Sequence, residues 1–187
     1  MEAFLVSLSA VAFAEMGDRT QLLALMLAAR YRRPWPIIAG IVLATLVNHL
    51  AAGAIGLWLG RLLTPGVLDG IVGASLIAMA AWTLKADKQD EVCDARRHNV
   101  FFATLCLFFV AEIGDKTQIA TTALAAGYSS LFAVVAGSTL GLLAANVPVV
   151  FLGQAFAARL PLKTIRLAAA GLFAVLGFVF AVKALTG

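Results

Sequence analysis

Six apolar stretches, each long enough to cross roughly 30 Å of hydrocarbon at about 1.5 Å per helical residue, leave this chain few folds to choose from. They fall at about 4–29, 37–60, 67–84, 100–126, 131–157 and 165–184. A soluble domain must solvate its surface, and is about half apolar and a quarter charged. Here 62% of 187 residues are hydrophobic and 13% charged, with a mean hydropathy of +0.97. The excess has no place except against lipid. Strands of an outer-membrane barrel alternate in polarity at every second residue, and no stretch here does. The expected fold is an all-α integral membrane protein with six transmembrane helices.

The breaks between stretches carry helix-ending residues: Tyr31-Arg32-Arg33-Pro34-Trp35-Pro36 after the first and Thr64-Pro65-Gly66 after the second. Lys85 to His98 is the long polar loop, balancing four bases against four acids, and reads as a solvated linker. Ala12-Phe13-Ala14 looks like a signal-peptide cleavage site, but the leading charge is the acidic Glu2 where a signal peptide carries bases. The first stretch is therefore read as a retained span.

The two halves are copies. Ala14-Glu15-Met16-Gly17-Asp18-Arg19-Thr20-Gln21 returns as Ala111-Glu112-Ile113-Gly114-Asp115-Lys116-Thr117-Gln118, an offset of 97. Ala39-Gly40 matches Ala136-Gly137 at the same offset, and Asn48, Arg61, Gly73 and Lys85 match Asn146, Arg159, Gly171 and Lys183 at 98. Register kept across three spans marks a duplication. The expected organisation is a first three-helix repeat at 1–84, a cytoplasmic polar linker at 85–98 and a second repeat at 99–187.

Three spans per repeat is an odd number, so the second copy must enter the membrane inverted. The loops on one side carry Arg30, Arg32, Arg33, Lys85, Lys88, Arg96, Arg97, Arg159, Lys163 and Arg166, and those on the other only Arg61 and Lys183. Basic loops stay in the cytoplasm, which puts both termini on the opposite side. The formal charge of +4 thus reflects orientation and not affinity for nucleic acid.

Four acids lie deep inside the spans: Glu15, Asp18, Glu112 and Asp115. Glu15 is about 15 Å beyond Leu5 and Glu112 about 18 Å beyond Val100 at helical rise. A charge at that depth costs at least about 2.5–3.5 kcal/mol, so intramembrane acids mark function by default. Residues three apart share a helix face, so Glu15, Asp18 and Gln21 should point together, as should Glu112, Asp115 and Gln118. Thr20 and Thr117 lie close to that face. Gly17 and Gly114 permit close approach or local unwinding. In an inverted repeat the two motifs would meet at the midplane as a cage of carboxylate, amide and hydroxyl oxygens.

Hard or borderline dications such as manganese, calcium or magnesium take ligands of this kind. Four carboxylates with Arg19 and Lys116 sum to −2, which one dication neutralises. Without metal, carboxylates this close would take up protons, and such competition is the minimum requirement for cation/proton exchange. Arg19 and Lys116 read as counter-ions or gate partners, since a charged base has no lone pair to donate. The plain structural alternative is that Glu15–Arg19 and Glu112–Lys116 are i,i+4 pairs that neutralise each other; it leaves Asp18 and Asp115 unexplained.

The remaining polar residues allow plainer readings. Asn48 and Asn146 either line the ion path or hydrogen-bond between helices. His49 and Met16 read as packing residues, and glycines 53, 56 and 60 as a helix contact. Cys93 and Cys106 are too differently placed to form a disulfide or a thiolate metal site.

Two copies of E-x-G-D-[KR]-T, each in the first helix of a three-helix repeat, resemble the signature of the GDT family of small calcium/manganese transporters. Both motifs match in full, and the resemblance covers essentially the whole chain. It implies cation/proton antiport, no cofactor, and the acidic motif residues at the ion site. At this length it also implies a bacterial inner-membrane manganese exporter. Rival readings are an exporter of a small organic solute, which would need an anion-recognition group, and an ion channel, which usually needs a symmetric oligomer. An intramembrane enzyme lacks any Ser/His or Cys/His constellation. Oligomeric state and the choice between manganese and calcium are not written in the sequence.

Overall fold

The computed structural model describes residues 1–84, 99–128, 130–152 and 162–186. Among these the chain forms eight α-helices and no strand. They are α1 (Glu2–Glu15), α2 (Arg19–Tyr31), α3 (Pro34–Leu62), α4 (Pro65–Thr83), α5 (Val100–Glu112), α6 (Lys116–Tyr128), α7 (Leu131–Leu152) and α8 (Leu162–Thr186). Pro34 and Pro65 open α3 and α4, where a fixed φ and a missing N–H suit the first helical turn. The expected linker at 85–98, with Cys93, and the end of the fifth stretch beyond Leu152 lie outside the described residues.

Four helices are long and apolar enough to cross a membrane: Pro34–Leu62, Pro65–Thr83, Leu131–Leu152 and, within α8, Leu167–Thr186. The first and fourth apolar stretches differ from expectation. Each is two shorter helices interrupted inside its acidic motif. Met16 and Ile113 turn the chain out of the helix with ψ of 117° and 120°. Gly17 and Gly114 follow at φ of 81° and 72°, a left-handed region that costs an L side chain roughly 1–2 kcal/mol. Asp18 N then donates to Glu15 O and Asp115 N to Glu112 O, both at 3.1 Å, closing the same tight turn twice.

The helices exchange partners between the halves. α1 packs on α7, α3 on α5 and α6, and α4 on α8. Two of these contacts are copies of each other. A Cβ at Gly40 would stand 2.9 Å from Phe101 O and 2.8 Å from Thr104 Cβ, and one at Gly137 would collide with Phe4 O and stand 3.1 Å from Ser7 Cβ. All three pairs, 4 and 101, 7 and 104, 40 and 137, are 97 apart. Small residues thus let backbones approach, the usual basis of helix association where lipid removes the hydrophobic drive. The buried core forms one cluster around Leu76, Leu124, Phe173 and Phe180 and another around Leu27, Ile41, Phe108 and Leu142. The outer faces carry large apolar side chains such as Ile55, Trp58, Val110 and Phe178.

Candidate metal centre

The two interruptions position the acids. Glu15 ends α1 and Asp18 precedes α2; Glu112 ends α5 and Asp115 precedes α6. The sequence reading assumed continuous helices with acids three apart on one face, and the unwound turns replace that geometry. What brings Glu15 beside Asp18 is the tight turn at Gly17. Glu15, Asp18 and Asp115 are all buried, and each offers a carboxylate oxygen within 4.8 Å of the others'. Acids from both halves therefore converge as a trio. The C-terminal ends of α1 and α5 add a partial negative charge that suits a cation.

The bases cross over. Lys116 Nζ lies 2.9 Å from Asp18 Oδ1, and Arg19 Nη2 lies 3.5 Å from Asp115 Oδ1. Arg19 Nη2 also donates to Ala111 O at 2.6 Å. Each motif's base meets the aspartate of the other motif. The i,i+4 pairing weighed from sequence presumed one helix through residues 15–19 and through 112–116, and neither segment is continuous. The two bases are not equally placed: the side chain of Arg19 is 33% exposed and that of Lys116 only 6%.

The glutamines hold the turns. Gly17 N donates to Gln21 Oε1 at 2.9 Å, and Gly114 N to Gln118 Oε1 at 2.7 Å. Gln21 Nε2 donates in turn to Ala145 O at 3.0 Å, tying the first turn to α7. The Thr20 hydroxyl donates to Glu15 Oε2, and Thr117 is buried beside the same carboxylate. Asn146 Nδ2 lies 3.5 Å from Glu15 Oε2.

Glu112, the fourth acid, is held differently. Thr45 Oγ1 donates to its Oε1 at 2.6 Å, and Asn48 Nδ2 lies 3.3 Å from its Oε2. The equivalent amides Asn48 and Asn146 thus each reach the glutamate of the opposite motif. Thr45 was not singled out from sequence, because the corresponding positions of the second half, Leu142 and Leu143, are apolar. One signal was present: Thr45 is three residues before Asn48 and so shares its helix face. His49, read as a packing residue, places Nδ1 3.3 Å from Thr139 Oγ1 on α7.

Glu15 Oε1 is buried and receives no hydrogen bond among the described residues. A buried carboxylate oxygen without a donor is costly unless something positive meets it. Carboxylate oxygens from three acids, hydroxyls from Thr20 and Thr117 and neighbouring amide oxygens make a hard donor set, suited to a dication of the calcium or manganese kind. The same oxygens accept protons, so a dication and protons would compete for them.

Comparison with known proteins agrees in kind. The sequence profile of the family described as divalent cation/proton antiporter GDT1 matches residues 3–91 and 100–187. A Vibrio cholerae serotype O1 protein named "Putative manganese exporter" is 48% identical over 174 residues, covering 92% of this chain and 87% of its own length. A GDT1-like protein of Synechocystis is 30% identical over 193 residues, 92% of this chain and 93% of the relative. A rice relative, GDT1-like protein 4, is 27% identical over 168 residues, 75% of this chain and 59% of its own. No solved structure matches.

Proposed function

Because this chain belongs to the divalent cation/proton antiporter GDT1 family, we propose that it exports manganese from the cytoplasm in exchange for protons, with calcium the second cation its site suits. The observation that carries this reading is the buried trio Glu15, Asp18 and Asp115, drawn from both halves of the chain. The trio and Glu112 would bind the cargo, with Thr20, Thr117, Gln21 and Gln118 supplying neutral oxygens. Arg19 and Lys116 act as internal counter-ions that keep the empty site tolerable. Asn48 and Asn146 line the path and orient the glutamates.

In this reading α1 with α2, and α5 with α6, are single spans broken at the midplane, and α3, α4, α7 and α8 complete six. Residues 1–84 and 99–187 are then inverted repeats joined by a cytoplasmic linker, with both termini outside. The basic bias of one set of loops supports that orientation, and the paired contacts of Gly40 and Gly137 support the symmetry. A bacterial inner membrane is the compartment consistent with the Vibrio relative. Transport proceeds by one repeat rocking against the other about the fixed site. A proton arriving from the outer side displaces the metal outward, and metal arriving from the cytoplasm displaces the proton inward.

Everted membrane vesicles with an acidic lumen test this. The intact chain should drive manganese uptake that collapses with the pH gradient. Asp18→Asn and Asp115→Asn should each lower it more than about tenfold, a loss of about 1.4 kcal/mol or more in cation binding. Adding manganese to purified protein should release protons, and apparent affinity should fall as pH falls, because protonated carboxylates cannot ligate. Unchanged manganese and calcium fluxes in both variants would show the site to be elsewhere.

A further inference from the structure

The two ends of the bundle are not equivalent. At the end where α1 and α4 begin and α6 and α8 finish, four helices close on one another. Tyr128 Oη donates to Glu2 Oε1 at 3.2 Å, joining α6 to α1. The Tyr128 ring meets Phe180 of α8 edge-on, with centroids 5.8 Å apart, and Lys183 Nζ stands 5.1 Å from the Phe180 centroid. Gly127 sits on the same ring: a Cβ there would come within 2.6 Å of Phe180 Cε1 and Cζ and 3.4 Å of Val72 Cγ1 on α4. One turn inward, α3 lies so close to α6 that a Cβ at Gly56 would collide with Thr122 O, and one at Gly60 would stand 3.3 Å from Ala126 O.

Among the described residues, several duplicated positions at the other end differ, although α2 meets α5 there as α6 meets α1 here. Phe180 is 2% exposed, whereas Trp82, its counterpart 98 residues earlier, is 40% exposed. Gly127 corresponds to Arg30, which no aromatic ring can sit upon so closely. Glu2 corresponds to Asn99, whose side chain caps α5 by accepting from Phe101 N at 3.2 Å. Among the described residues α6 packs on α4 and α1 on α8, but their counterparts α2 on α8 and α5 on α4 form no comparable contact. A duplicated architecture in which, among the described residues, one set of equivalent contacts is made and its copy is not fits one of two alternating states.

We propose that Glu2, Gly127, Tyr128 and Phe180 form the outer gate of the transporter, shut in this structure, with the Tyr128–Glu2 hydrogen bond as its latch and Gly127 against Phe180 as its seat. The assignment rests on the alternating-access reading above. Opening swings the end of α6 away from α1, α4 and α8, breaks that hydrogen bond and uncovers Val72, which is 2% exposed when the gate is shut. The latch is exposed and weak, as a contact that must break every cycle should be.

The test uses the full chain with Cys93→Ser and Cys106→Ser, and Val72→Cys as reporter. A membrane-impermeant thiol reagent on the non-cytoplasmic face should label the reporter slowly. Tyr128→Phe and Glu2→Gln should each speed labelling about two- to tenfold, and Gly127→Ala, whose Cβ strikes Phe180, at least as much. A separate chain with Glu2→Cys and Tyr128→Cys, bridged by a short bifunctional thiol reagent, should lose manganese flux and regain it when the bridge is cleaved. Labelling indifferent to all three substitutions, or flux indifferent to the bridge, overturns the gate while leaving the manganese reading intact. If the unmodified chain moves no divalent cation, the manganese reading fails, and the labelling arm still decides whether this end opens.

Discussion

Thr45 shows how a single side chain outside the repeated motif shapes the site. Its hydroxyl takes one oxygen of Glu112 while Asn48 takes the other, so this glutamate is turned toward α3 and the remaining three acids form the tight group. Thr45→Val keeps the volume and removes the donor. A hydrogen bond contributes about 0.5–1.5 kcal/mol net, a factor of roughly two to ten. Thr45→Val should weaken manganese flux by a factor between about three and ten, less than loss of Asp18 or Asp115. Flux in vesicles at fixed pH gradient measures it, and a loss as deep as that of the aspartate variants would contradict the trio. The acids were legible from sequence because depth in an apolar run makes a charge conspicuous. Their partners were not, because the ion pairs run from Lys116 to Asp18 and from Arg19 to Asp115, across almost a hundred residues. Sequence spacing reports only neighbours along one helix.

At the level of elements, the interrupted helices are the main departure from expectation. Hydropathy sees the stretches 4–29 and 100–126 as continuous, since one unwound turn scarcely lowers the average. The glycine in each motif was the visible hint, and its left-handed φ is the reason it is needed. Gly17→Ala and Gly114→Ala should each destabilise the protein by about 1–2 kcal/mol, read as a lowered thermal midpoint in detergent. Each should also impair transport beyond that loss, because the turn is what brings glutamate and aspartate together. Retained stability and flux in both variants would mean the turn is dispensable. The other spans were drawn nearly right: 37–60 against Pro34–Leu62, and 67–84 against Pro65–Thr83. Uninterrupted apolar runs between prolines leave little latitude.

Across the whole molecule, the recurring motif could be read from register alone, and the structure brings acids of both copies together. The inequality of the two ends could not be read that way. Phe180 and Trp82 stand 98 residues apart and have similar chemistry, yet one is 2% exposed and the other 40%. The crossing of the bases has a further consequence. In the ion pairs seen among the described residues the counter-charge comes from the other half: Lys116 of the second lies 2.9 Å from Asp18 of the first, and Arg19 of the first 3.5 Å from Asp115 of the second. A half made alone would strand unbalanced ions in hydrocarbon and should be cleared by proteolysis. Produced together as two polypeptides, 1–90 and 91–187, the fragments should protect each other and restore manganese efflux. A lone fragment that accumulated stably would mean the balancing charges come from somewhere other than its twin. On the proposed inverted-repeat reading, an ancestral single repeat would have needed an antiparallel copy of itself, inserted the other way up, to balance its charges.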